Sequence, residues 1–132
     1  MNMENVELSY DLIRYFEGDV VDFSDYEVDL SRLTDFEQKV LSEARKIPYG
    51  SVVTYSELAE RIKCPKAARA VGNALRKNPA LVVIPCHRVV AKSGGVGGVG
   101  GYLLGSDVKR LLLEMEGVQG DMLETCHPSP RP

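Results

Sequence analysis

At 132 residues, 44% hydrophobic and 27% charged, the chain has the size and balance of one globular domain, and no apolar run approaches the ~18 residues a membrane helix needs. Its three cysteines, Cys64, Cys86 and Cys126, show no pairing pattern, and the acidic start from Met1 to Glu7 does not read as a signal peptide, so reduced thiols in the cytoplasm are expected. The net charge of -3 is spread unevenly: residues 1–44 carry 12 acidic and 3 basic side chains, residues 45–110 carry 12 basic and 3 acidic, and the remainder carries 4 acidic and 1 basic.

Ser9 to Glu17 predicts a short helix with Leu12, Ile13 and Phe16 on one face and Gly18 as its stop. Asp19 to Arg32 is acidic and aperiodic, so a connecting loop is expected. Thr34-Asp35-Phe36-Glu37 has capping-box spacing, and Phe36, Val40, Leu41 and Ala44 form one apolar stripe behind it. Pro48-Tyr49-Gly50 ends that helix in a turn, and Val52, Val53 and Tyr55 favour a strand. Ser56 is placed to cap a two-turn helix, Glu57 to Ile62, that buries Leu58, Ala59 and Ile62. Pro65 suits the first position of a helix reaching Lys77. Ala67, Ala70, Val71 and Ala74 are its small apolar residues; Lys66, Arg69, Asn73, Arg76 and Lys77 are polar or basic. Two short helices about a Lys63-Cys64 turn fit both a helix-turn-helix and an ordinary helical hairpin.

Asn78-Pro79 ends the pair, and Leu81 to Ile84 is expected to be a buried strand or extended segment. Glycines at 94, 95, 97, 98, 100 and 101 predict a flexible hairpin. Ser106 is placed to cap a last helix to Glu116, with Val108, Leu111, Leu112 and Met115 inside and Gly117 as the stop. The polar, Pro-rich residues 118–132 are expected to fray.

Chemistry concentrates in Ile84-Pro85-Cys86-His87-Arg88-Val89, which sets a cysteine nucleophile beside a base. A thiolate is the reactive form, and a neighbouring imidazole or cation favours it. In extended backbone adjacent side chains point apart, so His87 reaches Cys86 only through a turn or a bridging water. A buried, inert thiol at a strand end is the competing reading. The net charge of +9 over residues 45–110 points to a polyanion such as nucleic acid, or else to a solvated face opposite the acidic first segment. Gly95, Gly97 and Gly100 spell a dinucleotide fingerprint, but Gly101 to Gly105 intervene before any helix, so no cofactor is expected. No metal is expected either, because Cys126-His127 lacks a second pair with ligand spacing.

Tyr55-Ser56-Glu57-Leu58-Ala59, then Pro65-Lys66-Ala67-Ala68-Arg69-Ala70-Val71-Gly72, Arg76-x-Asn78-Pro79, Ile84 to Val89, Gly101-Tyr102 and Leu112-Leu113-x-x-Glu116-Gly117 follow one another in consistent order. Over roughly residues 12–117 this series resembles the O6-alkylguanine-DNA alkyltransferases, the methylated-DNA–protein-cysteine methyltransferases. The resemblance implies an α+β, mostly α fold: a helix-turn-helix, winged-helix-like alkyltransferase domain with a short extended core segment carrying the cysteine. Domains are then expected at 1–33 (a truncated or vestigial N-terminal part of one helix and a loop), 34–117 (DNA binding and alkyl transfer) and 118–132 (tail).

The resemblance also implies suicide repair, in which the protein flips O6-alkylguanine out of double-stranded DNA and keeps the alkyl group on Cys86. His87 is then the base acting through a water, Glu116 orients its imidazole, Tyr55 donates to the guanine ring, and Asn78 braces the turn. Arg69 fills the gap left by the flipped nucleotide. The second helix of the motif enters the minor groove, with Lys66, Ala67, Ala70, Asn73, Arg76 and Lys77 at the DNA. Tyr102, Leu103 and Val89 wall the base pocket, Leu103 standing where the family uses small polar residues. Arg88 is read as a buried ion-pair partner. A monomer without membrane association is expected. The alternative is an alkyltransferase-like protein that binds the lesion without transfer, although such proteins replace the cysteine, typically by tryptophan.

Overall fold

Helix α1, Met3–Phe16, begins the computed structural model, which describes residues 3–91 and 101–118. It starts earlier than Ser9, and its inward face is Leu8, Leu12 and Tyr15 rather than Leu12, Ile13 and Phe16. Ile13 and Phe16 are each 56% exposed, whereas Tyr15 is wholly buried because its hydroxyl finds a polar partner inside. Gly18, at φ 103°, ends the helix. The acidic stretch that follows is a loop, as expected, but it is tied down. Val21 and Phe23 are buried, and the Arg45 guanidinium donates to the carbonyls of Phe23 and Tyr26.

Thr34 caps helix α2, Asp35–Ala44, through a reciprocal bond pair with Glu37, and Val40, Leu41 and Ala44 are fully buried. Strand β1 is only Val53–Thr54, and helix α3, Tyr55–Arg61, starts one residue later. Its cap is Thr54, not Ser56. Thr54 accepts from the Glu57 amide at 3.0 Å and Glu57 accepts from the Thr54 amide at 2.7 Å, so the capping box fixes the boundary two residues upstream. Lys63 at φ 66° closes α3, with the Cys64 amide bonded to the Ala59 carbonyl.

Helix α4, Ala68–Leu75, is shorter than the expected 65–77 span: Pro65 and Lys66 form a turn ahead of it, and Arg76 and Lys77 a turn behind it. Val71, Ala74 and Leu75 face the core, so of the small residues only Ala70 is exposed and Ala67 half-buried. The 81–84 segment is not a strand. Ile84 N–H donates to the Ala80 carbonyl, Leu81 and Ile84 form an isolated bridge, and Val82 sits at φ 75°, a strained conformation for a β-branched residue.

A single 3₁₀ turn, Cys86–Arg88, leads into strand β2, Val89–Val90. β2 pairs parallel to β1 in the register Val53 with Val89 and Thr54 with Val90. The two-stranded ladder therefore joins the cysteine turn to the first residue of α3, Tyr55. Helix α5, Ser106–Met115, follows Gly105, which adopts φ 103° and occupies the cap position in place of Ser106. Its inward face is Lys109, Leu112 and Leu113, and Leu111 is 63% exposed, because the face runs on to Glu116. The main core joins α2, α3 and α4 with Ile84, Cys86 and Val89, and a second cluster packs Tyr15, Val21 and Phe23 on Val82, Val83 and Leu112. The fold is mostly helical α+β with a small parallel sheet. Among the described residues no helix is long and apolar enough to cross a membrane. The glycine hairpin, apart from Gly101, and the tail beyond Val118 lie outside the described residues.

Reassigning the α3 cap has a measurable consequence. Thr54→Ala should cost about 1 kcal/mol in urea unfolding, the usual value of a lost N-cap. Ser56→Ala should stay within about 0.5 kcal/mol of the parent. The reverse order would return the cap to Ser56.

Candidate active site

The cysteine turn is held by Asn78, itself buried. Its side-chain amide donates to the Ile84 carbonyl at 2.8 Å and to Cys86 Sγ at 3.2 Å, while its Oδ1 accepts from the Ala80 amide at 2.8 Å. Cys86 is 5% exposed. Burial pushes its thiol above the ordinary range, and the Asn78 bond and the nearby Lys109 ammonium oppose that rise.

His87 is wholly buried, and burial lowers its basicity against the pull of Glu116. Its Nε2 lies 2.8 Å from Glu116 Oε2. A carboxylate accepts only, so Nε2 carries the proton of the neutral ring and Nδ1 is the free base. Among the described residues Nδ1 has no hydrogen-bond partner.

Glu116 follows the last turn of α5, where Gly117 at φ 86° and the Val118 amide bonded to the Leu113 carbonyl close the helix. Arg88 grips it from the cysteine turn, with Nε on Oε1 at 2.8 Å and Nη2 on Oε2 at 2.9 Å, while Nη1 donates to the Ile47 carbonyl at 2.7 Å. The Tyr15 hydroxyl donates to Oε2 at 2.5 Å and lies 3.5 Å from His87 Nε2. Burial alone would raise the Glu116 carboxyl, but the bonds from His87, Arg88 and Tyr15 outweigh it and hold it at about 2. Arg88 is thus the buried ion-pair partner expected of it.

Tyr55 opens α3, and its hydroxyl accepts from Lys109 Nζ at 3.2 Å. Lys109 also donates to the Gly101 carbonyl at 3.1 Å and lies 5.3 Å from the Tyr55 ring centre. It is 1% exposed, and burial brings its amine down to about 7, against the attraction of the Cys86 thiolate. Burial also raises the Tyr55 phenol. Beside it opens a cavity of about 430 Å³ lined by Tyr55, Arg69, Gly72, Asn73, Arg76 and Gly101, among others. A larger cavity, about 580 Å³, runs behind the turn past Asp22, Arg45, Pro85 and Arg88 and reaches neither Cys86 nor His87. The smaller one does not touch Cys86 or His87 either; Tyr55 is the residue of the site that lines it.

The side chains thus form two bonded pairs, Asn78 with Cys86 and Glu116 with His87, joined through the Cys86–His87 backbone, while Lys109 bonds Tyr55 and the Gly101 carbonyl. Arg69, Ala70, Asn73, Arg76 and Lys77 lie exposed along or just beyond α4, with Lys66 exposed and Ala67 half-buried before it. The Tyr102 ring meets His87 edge-on at 6.4 Å, and its buried hydroxyl has no partner among the described residues. Leu103 is 57% exposed. None of Tyr102, Leu103 and Val89 lines the cavity, and Val89 is wholly buried in the main core, where its side chain packs β2. Two polar residues at the site escape the sequence reading. Lys109 had a signal, since it lies seven residues before Glu116 on one helix face; Tyr15 had none.

A family model for the DNA binding domain of 6-O-methylguanine DNA methyltransferase matches residues 35–118. The methylated-DNA–protein-cysteine methyltransferase of Sulfolobus acidocaldarius is 43% identical over 122 residues, covering 92% of this chain and 74% of the relative. That of Metallosphaera sedula is 46% identical over 116 residues, covering 88% and 70%. The crystal structure of Mycobacterium tuberculosis OGT in complex with DNA is similar at a TM-score of 0.76 and 42% identity, covering 88% of this chain and 69% of that one.

The Glu116 network sets a pH dependence. A carboxyl held at about 2 in the fold, against an ordinary 4.5, stabilises the protein fully above the unfolded value and loses that contribution as pH falls through the folded one. Wild type should therefore exceed Glu116→Gln in unfolding free energy by a few kcal/mol near neutral pH. That gap should narrow between about pH 4.5 and pH 2. A constant gap across that range, measured by urea unfolding, would show that the carboxylate charge is not what the network stabilises.

Proposed function

The chain belongs to the methylated-DNA–protein-cysteine methyltransferases, and we propose that it repairs O6-alkylguanine in duplex DNA by moving the alkyl group irreversibly onto Cys86. The observation that carries this reading is the buried cysteine held in one turn with His87, whose imidazole is fixed by Glu116. The thiol proton passes to His87 Nδ1 through a water. Cys86 Sγ then forms a bond to the alkyl carbon as the bond from that carbon to O6 breaks, and the electron pair returns to the purine. Tyr55 donates to the guanine ring as O6 leaves, and Lys109, with an amine near neutrality, can restore its proton. Among the described residues no group is placed to regenerate the thiol from a thioether. Each molecule acts once.

O6 lies within the duplex, so the nucleotide must leave the stack to meet a cysteine that is itself buried. The 430 Å³ cavity beside Tyr55 is the receiving space, and the exposed Arg69 at its edge fills the gap in the duplex. Lys66, Arg76 and Lys77 neutralise phosphates, and Ala67 and Ala70 let the backbone of α4 lie close in the minor groove. Asn78 holds the sulfur within the turn, and Tyr102 packs edge-on against the imidazole.

With excess O6-methylguanine duplex, repaired DNA should plateau at one mole per mole of active protein. A continuing linear phase would identify a turnover enzyme. Arg69→Ala should slow repair of duplex at least about tenfold, taking the gap-filling contact as worth more than 1.4 kcal/mol of a flipping cost of a few kcal/mol. It should leave reaction with free O6-benzylguanine within about twofold, since no flipping is needed. Equal losses on both substrates would contradict the assignment. Affinity for undamaged duplex should also fall with salt, log K against log salt sloping by about -0.9 per phosphate neutralised. An anisotropy titration giving flat affinity would remove α4 from the phosphates.

A further inference from the structure

Tyr15 lies 72 residues before His87 and 101 before Glu116, on a helix that the 35–118 family match does not include, yet its hydroxyl sits between the two side chains. We propose that Tyr15 is a positioning residue for alkyl transfer, setting the strength of the His87 base by occupying Glu116 Oε2. The role as stated rests on the alkyl-transfer reading, whereas the coupling it requires does not.

The geometry is specific. Tyr15 is wholly buried, and its ring is held edge-on by Phe16, Phe23 and Tyr49 at centroid distances of 5.1, 5.8 and 6.2 Å. The hydroxyl is therefore aimed by packing. It donates to Oε2 at 2.5 Å, the same oxygen that pairs with His87 Nε2 at 2.8 Å and Arg88 Nη2 at 2.9 Å. Three donors share one oxygen, and each draws on its charge. Removing the hydroxyl leaves more of that charge to the imidazole, which favours the imidazolium and makes His87 hold its proton to higher pH. The hydroxyl thus keeps His87 neutral and able to accept the thiol proton.

The other groups facing this pair stay in place when the hydroxyl is removed. They are Cys86 and Arg88 on the turn, Tyr49 on the loop after α2, Tyr102 before α5 and Lys109 on α5. Tyr15→Phe keeps the ring contacts and deletes only the donor. A purely structural role would lower stability without moving the titration of His87.

The test is a side-chain NMR titration of the intact protein, together with single-turnover rates on O6-methylguanine duplex across pH. The chain has two histidines, so a His127→Gln variant assigns the signals. In Tyr15→Phe the His87 midpoint should rise by about one pH unit, and the acid limb of the rate profile should move with it. Tyr15→Met, whose flexible apolar side chain also lacks the hydroxyl, carries the same expectation if the phenylalanine variant does not fold. An unmoved His87 midpoint in a folded variant overturns the proposal, whatever happens to the rate. A shifted midpoint with an unshifted rate profile overturns it as well. A shifted midpoint in a protein whose wild type transfers no alkyl group upholds the coupling and refutes the function instead.

Discussion

One buried carboxylate organises this molecule. Glu116 accepts four hydrogen bonds, two from Arg88 and one each from His87 and Tyr15, and thereby joins the end of α5, the cysteine turn and α1 at a single point. An isolated carboxylate at that depth would be costly; with a fork-shaped guanidinium and two further donors it is held ionised. Breaking such a buried pair by removing one partner generally costs 3–5 kcal/mol, because the other charge is left uncompensated. The price of the site is thus a network that must be complete to be tolerable. The arrangement that stabilises the fold is also the one that orients the base.

Cys86 lies under opposed influences. Burial keeps the thiol protonated, while the Asn78 bond and the Lys109 charge favour the thiolate. On the proposed single-turnover reading, the cysteine gains from such a balance. A permanently ionised thiolate in an open site would react with any soft electrophile, whereas a buried thiol waits for a substrate that brings its reacting carbon into the cavity. Lys109, its amine brought down to about 7 by burial, bonds the Tyr55 hydroxyl on the other side of the site.

The local rules of the chain were legible where a single helix face or a cap decides the outcome. Thr34 with Glu37 fixed the start of α2, and the Val40, Leu41 and Ala44 stripe marked its buried side. The same capping-box rule governs Thr54 with Glu57, but Ser56 offered a second plausible cap. The Cys86, His87, Glu116 and Asn78 set was accessible through the family resemblance, and the structure pairs Asn78 with Cys86 and Glu116 with His87. What local pattern could not reveal are contacts made across the fold. Lys109 and Glu116 break the apolar face of α5 because they are buried charges with partners elsewhere, and the face they define turns Leu111 outward. Tyr15 set the rotation of α1 by a bond 101 residues away. The 81–84 segment looks like a strand by composition, yet Asn78 folds it into a turn with Val82 at positive φ.

The account turns on which sulfur is the acceptor. Incubating the full chain with an O6-methylguanine duplex, followed by proteolysis and mass spectrometry of the cysteine peptides, addresses that directly. The expected result is S-methylcysteine at Cys86, with Cys64 and Cys126 unmodified. Methyl on either of the other two cysteines, or an unmodified protein beside repaired DNA, would contradict the account.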